Sequence, residues 1–139
     1  MPATLPWIIG KRLVEAAKKD FTWLFAFTDG VTVTTDSSWR LLTTEGVVVT
    51  SQDDGQLFGL REPVDAGARV LAVISDSTVR ESRMGERSGD LIIDFHAGAT
   101  LEFLTLSSGF ESWSAWYGAD GIVCTDGGAI SFISRENGV

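Results

Sequence analysis

Apolar and polar residues alternate in short runs along most of the chain. Trp23-Leu-Phe-Ala-Phe27, Val31-Thr-Val-Thr-Thr35, Leu91-Ile-Ile-Asp-Phe95 and Thr100-Leu-Glu-Phe103 are examples. A period of two places one set of side chains on each face of a strand, so the pattern predicts half-buried β-structure. Strands are expected near 11–18, 21–28, 31–36, 38–43, 46–51, 69–75, 78–84, 90–96, 99–105, 111–117, 121–125 and 128–133. Glycine-containing pairs punctuate them: Asp29-Gly30, Glu45-Gly46, Asp54-Gly55, Ala97-Gly98, Asp120-Gly121 and Asp126-Gly127. Such pairs suit tight hairpin connections. Helical signals are poor. Residues 5–19 leave an amphipathic helix and a strand both open, because Gly10 interrupts the apolar spacing, and a short helical turn is expected near 62–67.

The chain also resembles itself. Trp23-Leu-Phe-Ala-Phe-Thr-Asp-Gly-Val-Thr-Val aligns without gaps on Leu91-Ile-Ile-Asp-Phe-His-Ala-Gly-Ala-Thr-Leu. Further on, Ser38-Trp39 matches Ser112-Trp113, and Glu45–Thr50 matches Asp120–Thr125, which pairs Val49 with Cys124. Upstream, Gly10-Lys-Arg-Leu-Val resembles Gly67-Ala-Arg-Val-Leu. These matches suggest duplicated halves near 1–60 and 61–139 that share one core.

The apolar pattern selects a pairing register. A three-residue loop, His96-Ala97-Gly98, with Gly98 left-handed in a bulged turn sets Phe95 opposite Ala99, Ile93 opposite Leu101 and Leu91 opposite Phe103. Asp94, Thr100 and Glu102 then share the other face. The first copy would pair Phe27 with Val31, Phe25 with Val33 and Trp23 with Thr35. A slip of one residue would turn every core side chain outward. The expectation is an all-β single domain over 1–139: two similar antiparallel meanders packed as a sandwich or partly open barrel, with at most one or two short helices.

Composition narrows the possibilities. A chain of 139 residues with eight Phe and five Trp can bury a sizeable core and is not a disordered segment. No apolar run approaches the roughly 20 residues of a membrane-spanning helix. The net charge is −8. Lys11, Arg12, Lys18 and Lys19 against Glu15 leave +3 in residues 1–19, so the remainder carries −11. Acidic surfaces repel phosphate backbones, so neither nucleic acid nor a membrane is an expected partner. The opening MPATLPWIIG lacks the pattern of a secretory signal, and a cytoplasmic location is expected.

Catalytic chemistry finds little support. The single cysteine, Cys124, and the single histidine, His96, exclude a disulfide framework, a cysteine zinc cluster and a histidine-rich centre. His96 falls in a hairpin loop and Cys124 in an apolar run. Asp94 and Glu102 share one face but read as an ordinary solvated surface, and Gln52-Asp53-Asp54-Gly55 reads as a turn. No phosphate-binding glycine loop, dinucleotide fingerprint or hydrolase elbow occurs. No catalytic residue, metal or cofactor is expected.

More informative are the apolar residues that break the alternation. Leu24 and Ile92 occupy equivalent outward positions in the two halves, and so do Leu42 and Trp116. The N-terminal Trp7, Ile8 and Ile9 could cover this outer row. Otherwise Trp116, Leu42, Leu24 and Ile92 would form a contact surface for a protein partner or a second copy of the chain, with Trp116 as its anchor.

The string Gly109-Phe-Glu-Ser-Trp-Ser114, the glycine-rich ending at 118–128 and Gly10-Lys-Arg-Leu-Val14 resemble a family of small bacterial β-rich proteins of unknown function. The Glu111-Ser112-Trp113 triplet matches the acidic-aromatic strand of that family. The resemblance implies a β-rich domain and a bacterial source, and it supplies no catalytic residue. The leading expectation is a non-enzymatic protein-binding module, in one version an immunity protein that neutralises a basic toxin. The alternative is a β-barrel carrier of a small apolar ligand. An enzyme using carboxylates alone ranks third, and would need a cleft joining two of Asp94, Glu102, Glu111 and Asp126.

Overall fold

The computed structural model describes residues 4–134. Its strands are β1 (Leu13–Lys19), β2 (Thr22–Phe27), β3 (Val31–Thr35), β4 (Trp39–Thr43), β5 (Gly46–Thr50), β6 (Val79–Met84), β7 (Leu91–Phe95), β8 (Thr100–Phe103), β9 (Trp113–Tyr117), β10 (Asp120–Cys124) and β11 (Ile130–Ser134). One α-helix, α1 (Ala66–Ile74), separates β5 from β6. The strands form two open antiparallel sheets, ordered β1-β2-β3-β9-β10-β11 and β5-β4-β8-β7-β6. The all-β sandwich expected from the alternation is the fold.

Inward side chains fill the space between the sheets. The Phe25 ring of one sheet meets Trp39 and Phe103 of the other edge-on, at centroid distances of 5.2 and 4.9 Å, and Trp23 meets Trp39 at 5.0 Å. Such geometry adds about 0.5–1.5 kcal/mol per pair beyond area burial. The register follows the apolar pattern: Phe25 faces Val33, Trp23 faces Thr35, Ile93 faces Leu101 and Leu91 faces Phe103. The turn at 96–98 is bulged as expected. Gly98 has φ 87° and donates to the Phe95 carbonyl, while the Phe95 N–H reaches the Ala99 carbonyl. Only a left-handed residue closes this loop without strain, which suits glycine.

Exchanging β1–β5 for β6–β10 converts the order 1-2-3-9-10 into 6-7-8-4-5. Each sheet therefore contains strands from residues 1–60 and from 61–139, and neither half has a sheet of its own. The sequence equivalences follow this exchange only in part. Gly67–Leu71 lies on α1, not on a strand like Leu13-Val14. The segment that faces Arg12 is at Thr78. Leu41 faces Val49 and Ala115 faces Ile122, so Ile122, not Cys124, stands where Val49 does.

The strand expected at 69–75 is helical. Asp65 caps α1 by accepting the Ala68 N–H, and Ala66, Gly67, Val70 and Ile74 form its buried stripe against β1. β-Branched residues lower helix propensity only slightly, and burial of a helical stripe outweighs that preference. Within 5–19 a 3-10 turn, Pro6–Ile8, precedes β1. That turn buries Leu5 and Ile8 against β6. Ile8 therefore joins the core, Trp7 stacks on Tyr117 and Ile9 is exposed, so the three do not form the cover expected over the outer row. Asp120-Gly121 is also not a turn. The chain reverses at Gly118, and Gly121 lies within β10.

Candidate functional site

Strand register assembles one end of the sandwich. Thr35 at the end of β3 faces Trp113 at the start of β9, and Phe103 at the end of β8 faces Trp39 at the start of β4. The crossovers 36–38 and 104–112, which carry the chain between sheets, therefore lie side by side and are joined by a hydrogen bond from the Leu104 N–H to the Ser38 carbonyl. The Asp20-Phe21 turn enters β2 at this end, and Ser51 leaves β5 here.

This crossover end exposes large apolar side chains. Phe21 is 85% exposed, Phe110 77% and Leu106 65%. Phe21 and Leu106 line an open cleft of about 420 Å³ together with Lys18, Asp36 and Ser51. Asp36 also borders a smaller recess with Glu111. Asp20, Asp36, Asp53, Asp90, Glu111 and Asp126 at this end outnumber Lys18 and Lys19, at the end of β1, and Arg87. The opposite end is closed by its own side chains. There Trp7 stacks on Tyr117 at 5.9 Å, and Lys11 lies over the same ring while pairing with Asp29 at 2.7 Å.

The four residues expected to form one contact surface are not brought together. Leu24 and Trp116 lie on the outer face of the six-stranded sheet, whereas Leu42 and Ile92 lie on the outer face of the other. All four are half-buried. The Trp116 ring covers Gly121 on the neighbouring strand. Phe21, Leu106 and Phe110 lie outside the strands, so the period-two alternation does not mark them. An aromatic at a two-residue hairpin tip, where the fold needs none, was the signal.

The carboxylates of the five-stranded sheet do not form a bare pair. Glu102 bonds to the Arg40 guanidinium, and Asp94 accepts from Arg83 and from the Thr100 hydroxyl. Asp94 is buried, contrary to the solvated face expected. Burial opposes its charge, but the hydrogen bonds from Thr100 and Arg83 outweigh it and hold its carboxyl below the ordinary value. Glu111 borders the recess with Asp36, and Asp126 lies in the turn after β10. His96 is exposed in its loop. Cys124 is fully buried, and burial pushes its thiol up. Among the described residues, no group of three or more His, Cys, Asp or Glu side chains is arranged to hold a metal, and no helix is long and apolar enough to cross a membrane.

No family model, curated protein or solved structure matches this chain.

Proposed function

We propose that this chain is a non-enzymatic protein-binding module whose contact surface is the crossover end, and that its partner is a basic protein. The observation that carries the reading is the exposure of Phe21, Leu106 and Phe110 around the carboxylates of Asp36 and Glu111. Aromatic anchors supply most of the energy at protein interfaces, and surrounding charge steers the encounter. Trp116, Leu42, Leu24 and Ile92 contribute less in this reading, since they are half-buried on two opposite faces. A cytoplasmic immunity protein against a basic toxin is the biological setting that suits such a surface. The bacterial source belongs to the same proposal and rests on the resemblance of residues 10–14 and 109–128. The aromatic rings between the sheets favour surface binding over the barrel carrier, which needs an enclosed cavity of roughly 300 Å³ or more.

The test is affinity capture from native extract with the whole chain and with Phe21→Ser/Phe110→Ser. Support requires a basic protein that the parent chain holds less tightly as salt rises and that the double variant loses. A blank result, or capture indifferent to both substitutions, would overturn the proposal.

A further inference from the structure

We propose that β11 is a pairing edge for a second copy of this chain, so that two six-stranded sheets join antiparallel across a two-fold axis at Phe132. The edge strands are β1 and β11 in one sheet, β5 and β6 in the other. An open edge presents a row of unpaired N–H and C=O groups, and folded proteins blunt such edges with bulges, charges or covering elements. Every edge but β11 is blunted. In β1 the register passes from Leu13 opposite Phe27 to Glu15 opposite Ala26, so Val14 is bulged, and α1 packs on this strand. In β6 Arg80 is bulged, and Arg80, Glu81 and Arg83 charge the strand. In β5 Val48 is bulged, since Val49 faces Leu41 and Val47 faces Leu42. By contrast, β11 pairs with β10 without a register shift, and Ile130-Ser-Phe-Ile-Ser134 contains neither charge nor proline.

The phase of the ladder shows what this edge offers. The Thr125 N–H donates to the Ala129 carbonyl where β10 turns into β11. Hydrogen-bonded and non-bonded pairs alternate along an antiparallel ladder. Ser131 and Ile133 therefore bond to Val123 and Gly121, while Ile130, Phe132 and Ser134 turn their N–H and C=O groups away from β10. No hydrogen bond to these outward groups joins them to another loop or side chain among the described residues. Phe132 faces Ile122, which faces Ala115, so its ring stands on the core side of the sheet, yet it is 67% exposed. A cavity of about 380 Å³ borders it, walled by Pro6, Trp7 and Ile122.

The occupant that fits is the same strand in antiparallel order. Centred on Phe132, the pairing sets Ile130 opposite Ser134, Ser131 opposite Ile133 and Phe132 opposite Phe132 of the second copy. Ile130, Phe132 and Ser134 then exchange both of their hydrogen bonds with the facing residue, and no charge meets a like charge. A slip of one residue would set outward groups against groups already bonded to β10. Facing Cβ atoms lie about 4.5–5.5 Å apart, so the two Phe132 rings shield each other beside the Trp7 cavity. Five residues a side fall short of the roughly 20–30 in a standard interface, so the dimer is reversible and fills at high concentration. Two chains of net charge −8 repel, so salt favours this contact, the reverse of its effect on a basic partner at the crossover end. The proposal does not depend on that partner.

The experiment is sedimentation velocity of the whole chain over a wide concentration range at low and high salt, with amide hydrogen exchange measured at both ends of the range. The expected result is a monomer–dimer equilibrium that tightens with salt. The amides of Ile130, Phe132 and Ser134 should gain protection as dimer forms, whereas those of Ser131 and Ile133 should be protected throughout. Phe132→Glu sets two like charges opposite each other and should weaken the dimer about tenfold or more. Ser134→Pro removes an outward donor that β10 does not use, and should weaken it while keeping the Phe132 ring. Phe21→Ser, at the crossover end, should leave the dimer unchanged. A chain monomeric at every concentration, protection that ignores the alternation, or a dimer indifferent to both β11 variants would sink the proposal.

Discussion

Trp116 and Gly121 face each other across β9 and β10, and the indole ring occupies the space that a side chain at 121 would need. A flat aromatic laid over a strand glycine restores the packing that the missing side chain forfeits. Gly121→Ala should therefore destabilise the fold by about 1–3 kcal/mol, as overpacking does. A lower midpoint in urea denaturation at unchanged slope is the expected observation. An unchanged midpoint would mean that the ring swings aside freely.

Gly67 offers a reversal of the usual helix rule. In an exposed helix interior, Gly→Ala stabilises by about 1 kcal/mol. Here α1 packs so closely on β1 that a Cβ at 67 would collide with the Ala16 carbonyl, which is backbone and cannot move aside. Gly67→Ala should lower stability, whereas Ala72→Gly on the exposed side should lower it only by the propensity difference. Equilibrium unfolding of the two variants separates the causes.

Asp94 sets an acid-side prediction. Its carboxyl is held below the ordinary value near 3.8, with Arg83, Glu81 and Thr100 facing it. A group whose pKa is lower folded than unfolded adds stability above its unfolded pKa. That stability is lost as the pH falls through the folded value. Asp94→Asn should cost about 1–3 kcal/mol at neutral pH and flatten the loss of stability below pH about 4. Parallel pH titrations of unfolding would read this, and identical acid slopes would refute it.

Burial raises the Cys124 thiol, helped by the negative charge of Asp90 and opposed by the Thr105 hydroxyl, so thiolate is scarce near neutral pH. Modification by an aromatic disulfide reagent should proceed at the rate of unfolding and accelerate with urea. Rapid labelling under native conditions would contradict this.

Core and contact residues should separate cleanly. Leu101→Ala removes a fully buried side chain facing Leu41 and Ile93, and should cost about 2–5 kcal/mol. Phe21→Ser, at an exposed hairpin tip, should change stability by about 0.5 kcal/mol or less. A large cost at Phe21 would assign it to the fold instead.

Strand alternation was legible because its period is local. Trp23, Phe25 and Phe27 must share a face whatever the rest of the chain does, and one burial choice then settles the register with Val31 and Val33. Residues 66–74 were not legible. Val70, Leu71, Val73 and Ile74 fit a strand as readily as a helix, and the choice depends on β1, with the Ala16 carbonyl beside Gly67. The half-buried outward residues show the same limit. Leu24 and Ile92 hold equivalent sequence positions, but they lie on opposite sides of the sandwich because the sheets exchange strands between halves.

The sequence by itself determined most of the strands, their inward residues and the bulged turn at Gly98, since these depend on neighbours within a few positions. Only the tertiary structure decided which loops meet. Phe21, Asp36, Leu106 and Glu111 are scattered over some ninety positions of chain. They share one end because antiparallel pairing places the end of β3 beside the start of β9. That is a long-range consequence of burying both halves in one core, and no local pattern encodes it.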